Sequence, residues 1–187
     1  MSSKKFFTVP NMLSIFRMII IPIFIYMYII GEKQIAFILF IISGITDMMD
    51  GFIARKFNQM SDIGKVLDPL ADKVTLVSVL ACLYANGLIH GILFFFILVK
   101  EIFQIIGGIF LWNKKIVVQS NIWGKLTTIM FYMGISAIFI WPDMIIGNVL
   151  LGIALILAVI AVINYTIKNR KIYNQKKAEN YNEKENN

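Results

Sequence analysis

Long apolar runs alternate with short polar breaks along the chain. The runs cover 12–30, 35–57, 66–86, 91–112, 122–141 and 145–167. Four of the breaks are "GEKQ", "ANGLIHG", "WNKKIVVQSN" and "WPDM", and a more polar stretch, "RKFNQMSDIGK", parts the second run from the third. A helix needs roughly 20 apolar residues to cross a hydrocarbon core about 30 Å thick, and each run is near that length. Within lipid the backbone has to satisfy its own hydrogen bonds, which calls for helices, and the alternating short segments of a β-barrel are absent. The pattern predicts an all-α integral membrane protein of six transmembrane helices. These form one domain over 1–167, followed by a charged tail over 168–187 with no apolar period, which is expected to be a disordered cytoplasmic end.

Charge adds the orientation. Six spans put both termini on one side, and that side receives Lys4, Lys5, Arg55, Lys56, Lys65, Lys114, Lys115 and the basic tail, while the opposite loops carry only Lys33. Lysine and arginine favour the cytoplasmic face, so both termini are expected in the cytoplasm and the protein in the plasma membrane. The net charge of +7 thus reports topology; no basic stripe interleaved with aromatics suggests a nucleic-acid partner. Composition agrees, with 58% hydrophobic and 16% charged residues. The first run carries Arg17 near its start and lacks a small-residue cleavage site, so it reads as a retained helix rather than a signal peptide. Cys82 stands alone in an apolar run, which leaves neither a disulfide framework nor a cysteine metal site. Trp112, Trp123 and Trp141 fall near run ends, as interfacial anchors do.

One stretch departs from the apolar background. "DMMDGFIARKFNQMSDIGKVLDPLAD", residues 47–72, brings Asp47, Asp50, Asp68 and Asp72 to the junction of the second and third runs. At about 100° per residue, Asp47, Asp50, Gly51 and Ala54 share one stripe of a helix, and Asp68 and Asp72, four apart, share a face of the next. Pro69 is expected either in the first turn of that helix, with Asp68 as its N-cap, or at a kink. Converging carboxylates repel one another, and a hard divalent cation or a pair of them removes that repulsion. Oxygen ligands with no histidine or cysteine nearby point to Mg²⁺, Mn²⁺ or Ca²⁺ rather than zinc. The blander alternative has Asp68 capping a helix and Asp47 and Asp50 paired with Arg55 and Lys56. A small transporter is the non-enzyme alternative, but it predicts acids near the membrane midplane and internal repeats, rather than a cluster at one hairpin.

The pattern Asp47-x2-Asp50-Gly51-x2-Ala54-Arg55-x8-Gly64-x3-Asp68-x3-Asp72 resembles the signature of the CDP-alcohol phosphatidyltransferases. "VPNMLSIFRMIIIP" and "GKVLDPLADK" are similar to segments of its bacterial phosphatidylglycerophosphate synthases. The resemblance implies a six-helix membrane fold, usually a homodimer, that transfers a phosphatidyl group from CDP-diacylglycerol to an alcohol and releases CMP. It implies a two-metal site of Mg²⁺ or Mn²⁺ surrounded by Asp47, Asp50, Asp68 and Asp72, the first three as principal ligands and Asp72 as the candidate base. Gly51, Ala54, Arg55 and Gly64, with Asp47, Asp50 and Asp68, would accommodate the cytidine nucleotide.

Glycerol 3-phosphate is the leading acceptor, and its phosphate needs cations. Lys100 and Lys125 are the candidates, and Lys73, directly after Asp72, is expected to balance the acidic cluster. The usual synthase carries arginine where this chain has Lys100, and a second lysine where it has Thr127. Those losses make phosphatidylglycerol the alternative acceptor, which would give a cardiolipin synthase.

Overall fold

The computed structural model describes residues 8–56, 64–113 and 122–164, and all secondary structure among them is helical. Six helices appear: α1 (Val9–Ile29), α2 (Lys33–Lys56), α3 (Gly64–Ala85), α4 (Gly91–Asn113), α5 (Ile122–Ile140) and α6 (Ile146–Asn164). The expected runs match these elements, with shifts of up to three residues at the ends. The tail from 165, the basic N-terminal residues and the loops holding Asp62, Lys114 and Lys115 lie outside the described residues.

The helix boundaries follow from local chemistry. Thr8 caps α1, its hydroxyl accepting from the Asn11 N–H at 3.4 Å, and Pro10 sits in the first turn, where no N–H partner is required. Gly31 (φ +93°) ends α1, and its left-handed conformation lets the Glu32 N–H reach back to the Met27 carbonyl at 2.9 Å. Gly87 (φ +71°) closes α3 in the same way, with the Leu88 N–H donating to the Leu83 carbonyl at 3.0 Å. Pro69 does not open α3. The helix begins at Gly64, so Asp68 lies inside it rather than capping it, and Pro69 falls in its second turn.

α1 is packed along both α2 and α3, and shorter contacts join α3 to α4 and α2 to α5. The apolar core fills one end of this bundle. Phe24 and Tyr28 of α1 meet Phe40 of α2, Val79, Leu80 and Leu83 of α3, Ile97 of α4, and Ile135 and Ile138 of α5. Rings stack through it, Phe40 on Tyr132 at 5.1 Å and Phe37 on Phe139 at 5.2 Å between centroids. α6 is locked to α5 by small residues. A Cβ on Gly134 would lie 3.0 Å from the Leu151 side chain, and one on Gly147 would run into Ile138. In lipid such close backbone approach, rather than hydrophobic burial, is the main source of helix association. Asn148 ties α6 to the α3–α4 turn, donating to the Leu88 carbonyl at 2.8 Å and accepting from the His90 N–H at 3.3 Å.

The outer surface is apolar: Ile19, Ile23, Ile38, Ile45, Phe95 and Phe103 are among many exposed large side chains. Such a continuous apolar exterior suits a lipid solvent. Among the described residues α1, α5 and α6 are long and apolar enough to cross a membrane. The other three carry most of the charged residues, among them Asp47 and Asp50 on α2, Asp72 and Lys73 on α3, Lys100 and Glu101 on α4, while α1 contributes Arg17 and α5 Lys125. The protein is a helical membrane protein whose buried charges, Arg17, Asp50 and Glu101, lie away from the aromatic end of the core.

Candidate active site

The first half of α1 builds one wall of that charged region. Thr8, Asn11, Ser14 and Arg17 recur every three residues and are all buried, at 8, 2, 0 and 1% exposure. Each three-residue step turns about 300°, so the series winds around α1, and it stays buried because α1 is packed against both α2 and α3. The Ser14 hydroxyl turns back to the Pro10 carbonyl at 3.1 Å. Arg17 instead reaches across to the two neighbouring helices.

Among the described residues its guanidinium holds three carboxylates. Nη1 donates to Asp47 Oδ1 at 2.5 Å, Nη2 donates to Asp50 Oδ2 at 2.5 Å, and Nη1 also pairs with Asp72 Oδ1. A planar fork with several fixed N–H donors can serve acceptors from two helices at once, which an ammonium does less well. The three carboxylates differ in depth: the Asp50 side chain is 3% exposed, Asp47 27% and Asp72 44%. The cradle is therefore closed at Asp50 and open at Asp72.

Small and hydroxylated residues support it. The Thr46 hydroxyl bonds back to the Ser43 and Ile42 carbonyls at 2.8 and 3.0 Å, and the Thr75 hydroxyl to the Ala71 carbonyl at 2.8 Å. Gly44 lets Tyr132 of α5 lie against α2 one turn before the aspartates, since a Cβ there would sit 2.6 Å from the ring.

Arg17, which in the sequence marked only the first span, is the partner of Asp47 and Asp50 among the described residues; the alternative pairing with Arg55 and Lys56 rests on side chains outside the described set. An arginine eight residues into an apolar helix, in series with Asn11 and Ser14, was the available signal. Asp68 is on α3 one turn before Asp72, Gly64 begins α3, and Gly51, Ala54 and Arg55 occupy the end of α2; the side-chain positions of these residues lie outside the described set.

A second charged cluster sits between α3 and α4. Glu101, 1% exposed, forms ion pairs with both Lys73 and Lys100. Lys73 also donates to Gln104 Oε1 at 2.8 Å, and the Lys100 ammonium stands 5.1 Å from the centroid of the Phe131 ring. Lys73 thus turns to α4 rather than balancing the aspartates, because Glu101 offers a buried anion without a competing arginine. Lys125 is exposed in the first turn of α5.

Asp47, Asp50 and Asp72 supply oxygen ligands of the kind a hard divalent ion takes, but among the described residues no three such side chains are placed to hold one, and the Arg17 guanidinium stands between them. Comparison with known proteins identifies the family. The family model described as CDP-alcohol phosphatidyltransferase matches residues 7–162. A protein of Aquifex aeolicus named CDP-diacylglycerol–glycerol-3-phosphate 3-phosphatidyltransferase is 36% identical over 172 residues, covering 88% of this chain and 97% of the relative. The Haemophilus influenzae protein of the same name is 32% identical over 170 residues, covering 85% and 91%. A cardiolipin synthase (CMP-forming)/mitochondrial hydrolase fusion protein of Schizosaccharomyces pombe is 42% identical over 80 residues, which span 43% of this chain and 13% of that one. With a matching model over most of its length and relatives aligned nearly end to end, the chain belongs to the CDP-alcohol phosphatidyltransferase family.

Proposed function

We propose that this membrane enzyme transfers a phosphatidyl group from CDP-diacylglycerol to glycerol 3-phosphate, giving phosphatidylglycerophosphate and CMP. The observation that carries the proposal is the convergence of Asp47, Asp50 and Asp72 on one positive charge, in a chain aligned almost end to end with relatives bearing that activity in their names. Asp47, Asp50 and Asp68 would hold Mg²⁺ or Mn²⁺ as a two-metal site, with Asp72 beside them. When bound, the ions neutralise the donor's pyrophosphate and the charge that develops on the departing nucleotide.

The remaining steps belong to the protein. Gly51, Ala54 and Gly64 leave room for the nucleotide to approach the helix backbones, and Arg55 meets a phosphate oxygen. The acceptor hydroxyl oxygen attacks the phosphorus that bears the diacylglycerol, its proton passes to Asp72, and the bond from that phosphorus to the bridging oxygen of CMP breaks. Asp72 suits this role because it is the most open of the three described carboxylates, at 44% exposure. All six helices cross the plasma membrane with both termini in the cytoplasm, so the aspartates stand at the cytoplasmic surface while the lipid tails stay in the bilayer. The working unit is a homodimer.

For the acceptor phosphate the proposal uses Lys100 and Lys125. Glu101 offsets one of the two charges of Lys73 and Lys100, and this favours a second reading in which phosphatidylglycerol is the acceptor and cardiolipin the product. The test is CMP release from CDP-diacylglycerol by purified protein with Mg²⁺ or Mn²⁺, glycerol 3-phosphate and phosphatidylglycerol being offered separately. Turnover with glycerol 3-phosphate is the expected outcome. Turnover with phosphatidylglycerol alone selects the second reading, and no CMP with either acceptor refutes both.

A further inference from the structure

Arg17 is the bulkiest side chain among those that are essentially fully buried, and its charge cannot be removed by deprotonation. It stands where three carboxylates need a cation. Without one, Asp47, Asp50 and Asp72 would repel each other across the ends of α2 and α3. Yet the oxygens it occupies, Asp47 Oδ1 and Asp50 Oδ2 at 2.5 Å each, belong to residues that the proposed function gives to metal. A divalent cation and a guanidinium cannot both sit within bonding distance of those atoms without strong mutual repulsion in a poorly screened place.

We infer that Arg17 is an internal counter-cation: it keeps the aspartate cradle assembled while no metal is bound, and it gives up the carboxylates when metal loads. It is a positioning residue, and the inference rests on the metal site proposed above. α1 has the build for such a part. Its inner stripe of Asn11, Ser14 and Arg17 is polar and buried, and it is packed against both helices that carry the aspartates. The arrangement therefore joins the three helices through one side chain.

The sign of one measurement separates this role from an ordinary structural one. If Arg17 only orients the metal ligands, its loss weakens metal binding, by 10–100-fold for a typical supporting residue. If it competes for the ligands, its loss strengthens binding. The experiment is a Mn²⁺ titration of the full-length protein in detergent, without nucleotide, with free Mn²⁺ read by electron paramagnetic resonance. Arg17→Gln is expected to bind Mn²⁺ about tenfold or more tighter than wild type, with Arg17→Lys in between, since an ammonium keeps the charge but loses the fork. Metal-free Arg17→Gln is also expected to unfold at a lower temperature than wild type and to regain more on adding Mn²⁺. Unchanged or weaker Mn²⁺ binding in the variants, while wild type binds, overturns the inference and leaves the metal site standing. No Mn²⁺ binding by wild type removes the metal site, and the inference with it. Should Arg17→Gln fail to fold without metal, Arg17→Lys decides by the same comparison.

Discussion

Replacing Glu101 with glutamine removes the anion between Lys73 and Lys100 and leaves two ammonium groups facing one another. Breaking a buried ion pair by deleting one partner costs about 3–5 kcal/mol. Glu101 itself is 1% exposed, but the lysine side chains keep 21% and 15% of theirs and have flexible stems that can swing outward. The lower end, about 3 kcal/mol, is therefore the better figure. In a chain of this size each kcal/mol moves the melting temperature by about 2–4 °C, so Glu101→Gln is expected to melt about 6–12 °C below wild type. Thermal unfolding in detergent, followed by tryptophan fluorescence, measures the shift. Adding Lys73→Met removes the repulsion between the two ammonium groups, so the double variant should lose less than the sum of the two single changes. A Glu101→Gln protein melting within about 2 °C of wild type would refute the view that this carboxylate is the anchor between α3 and α4.

Other substitutions read other parts of the structure. Asp72→Asn should lower the rate of CMP release about 10²–10⁴-fold, the range for a lost general base, while Mn²⁺ binding survives; an unaltered rate removes Asp72 from proton transfer. Gly44→Ala puts a methyl group 2.6 Å from the Tyr132 ring and should cost about 1–3 kcal/mol, with the loss reduced when Tyr132→Leu is added. Thermal unfolding of the single and double variants checks this. Gly147→Ala should destabilise in the same assay, because its methyl group would meet Ile138 of α5 across the closest part of the α5–α6 contact. Asn148→Leu, which removes a 2.8 Å bond to the Leu88 carbonyl, should cost about 1–3 kcal/mol by leaving that acceptor without its partner, again read as a lower melting temperature.

The hydrophobic runs were legible because lipid imposes a length on a span, and the glycines at 31 and 87 mark where two helices stop. The convergence of Asp47, Asp50 and Asp72 was legible too, since carboxylates are costly in an apolar chain and their spacing fixes their faces. Two features were hidden. The start of α3 at Gly64 could not be read from a proline that is at home in a first turn, and the helix absorbs Pro69 in its second turn instead. The role of Arg17 was hidden by distance: it meets aspartates 30, 33 and 55 residues away, and no local period links them. Lys73 shows the same limit. Its neighbour in sequence is Asp72, but one residue along a helix turns a side chain by about 100°, and that rotation carries it to Glu101 on α4.

Depth within the cradle gives its carboxylates different work. Asp50, 3% exposed, is walled in by α1 and has Arg17 against it, so a charge there must be matched by a cation at all times. Such a position suits a ligand that never releases its partner to water. Asp72, 44% exposed, shares the same arginine yet faces the opening, which in the proposed reaction lets it meet the acceptor hydroxyl and pass the proton on to solvent. Asp47, at 27%, lies between the two. All three sit on helices rather than loops, which fixes their separation while lipid and headgroup move past. The aromatic core holds α1, α2, α3 and α5 together from beside the aspartate cradle, meeting Lys100 at Phe131, so in the proposed exchange of the guanidinium for a metal ion the bundle can keep its packing.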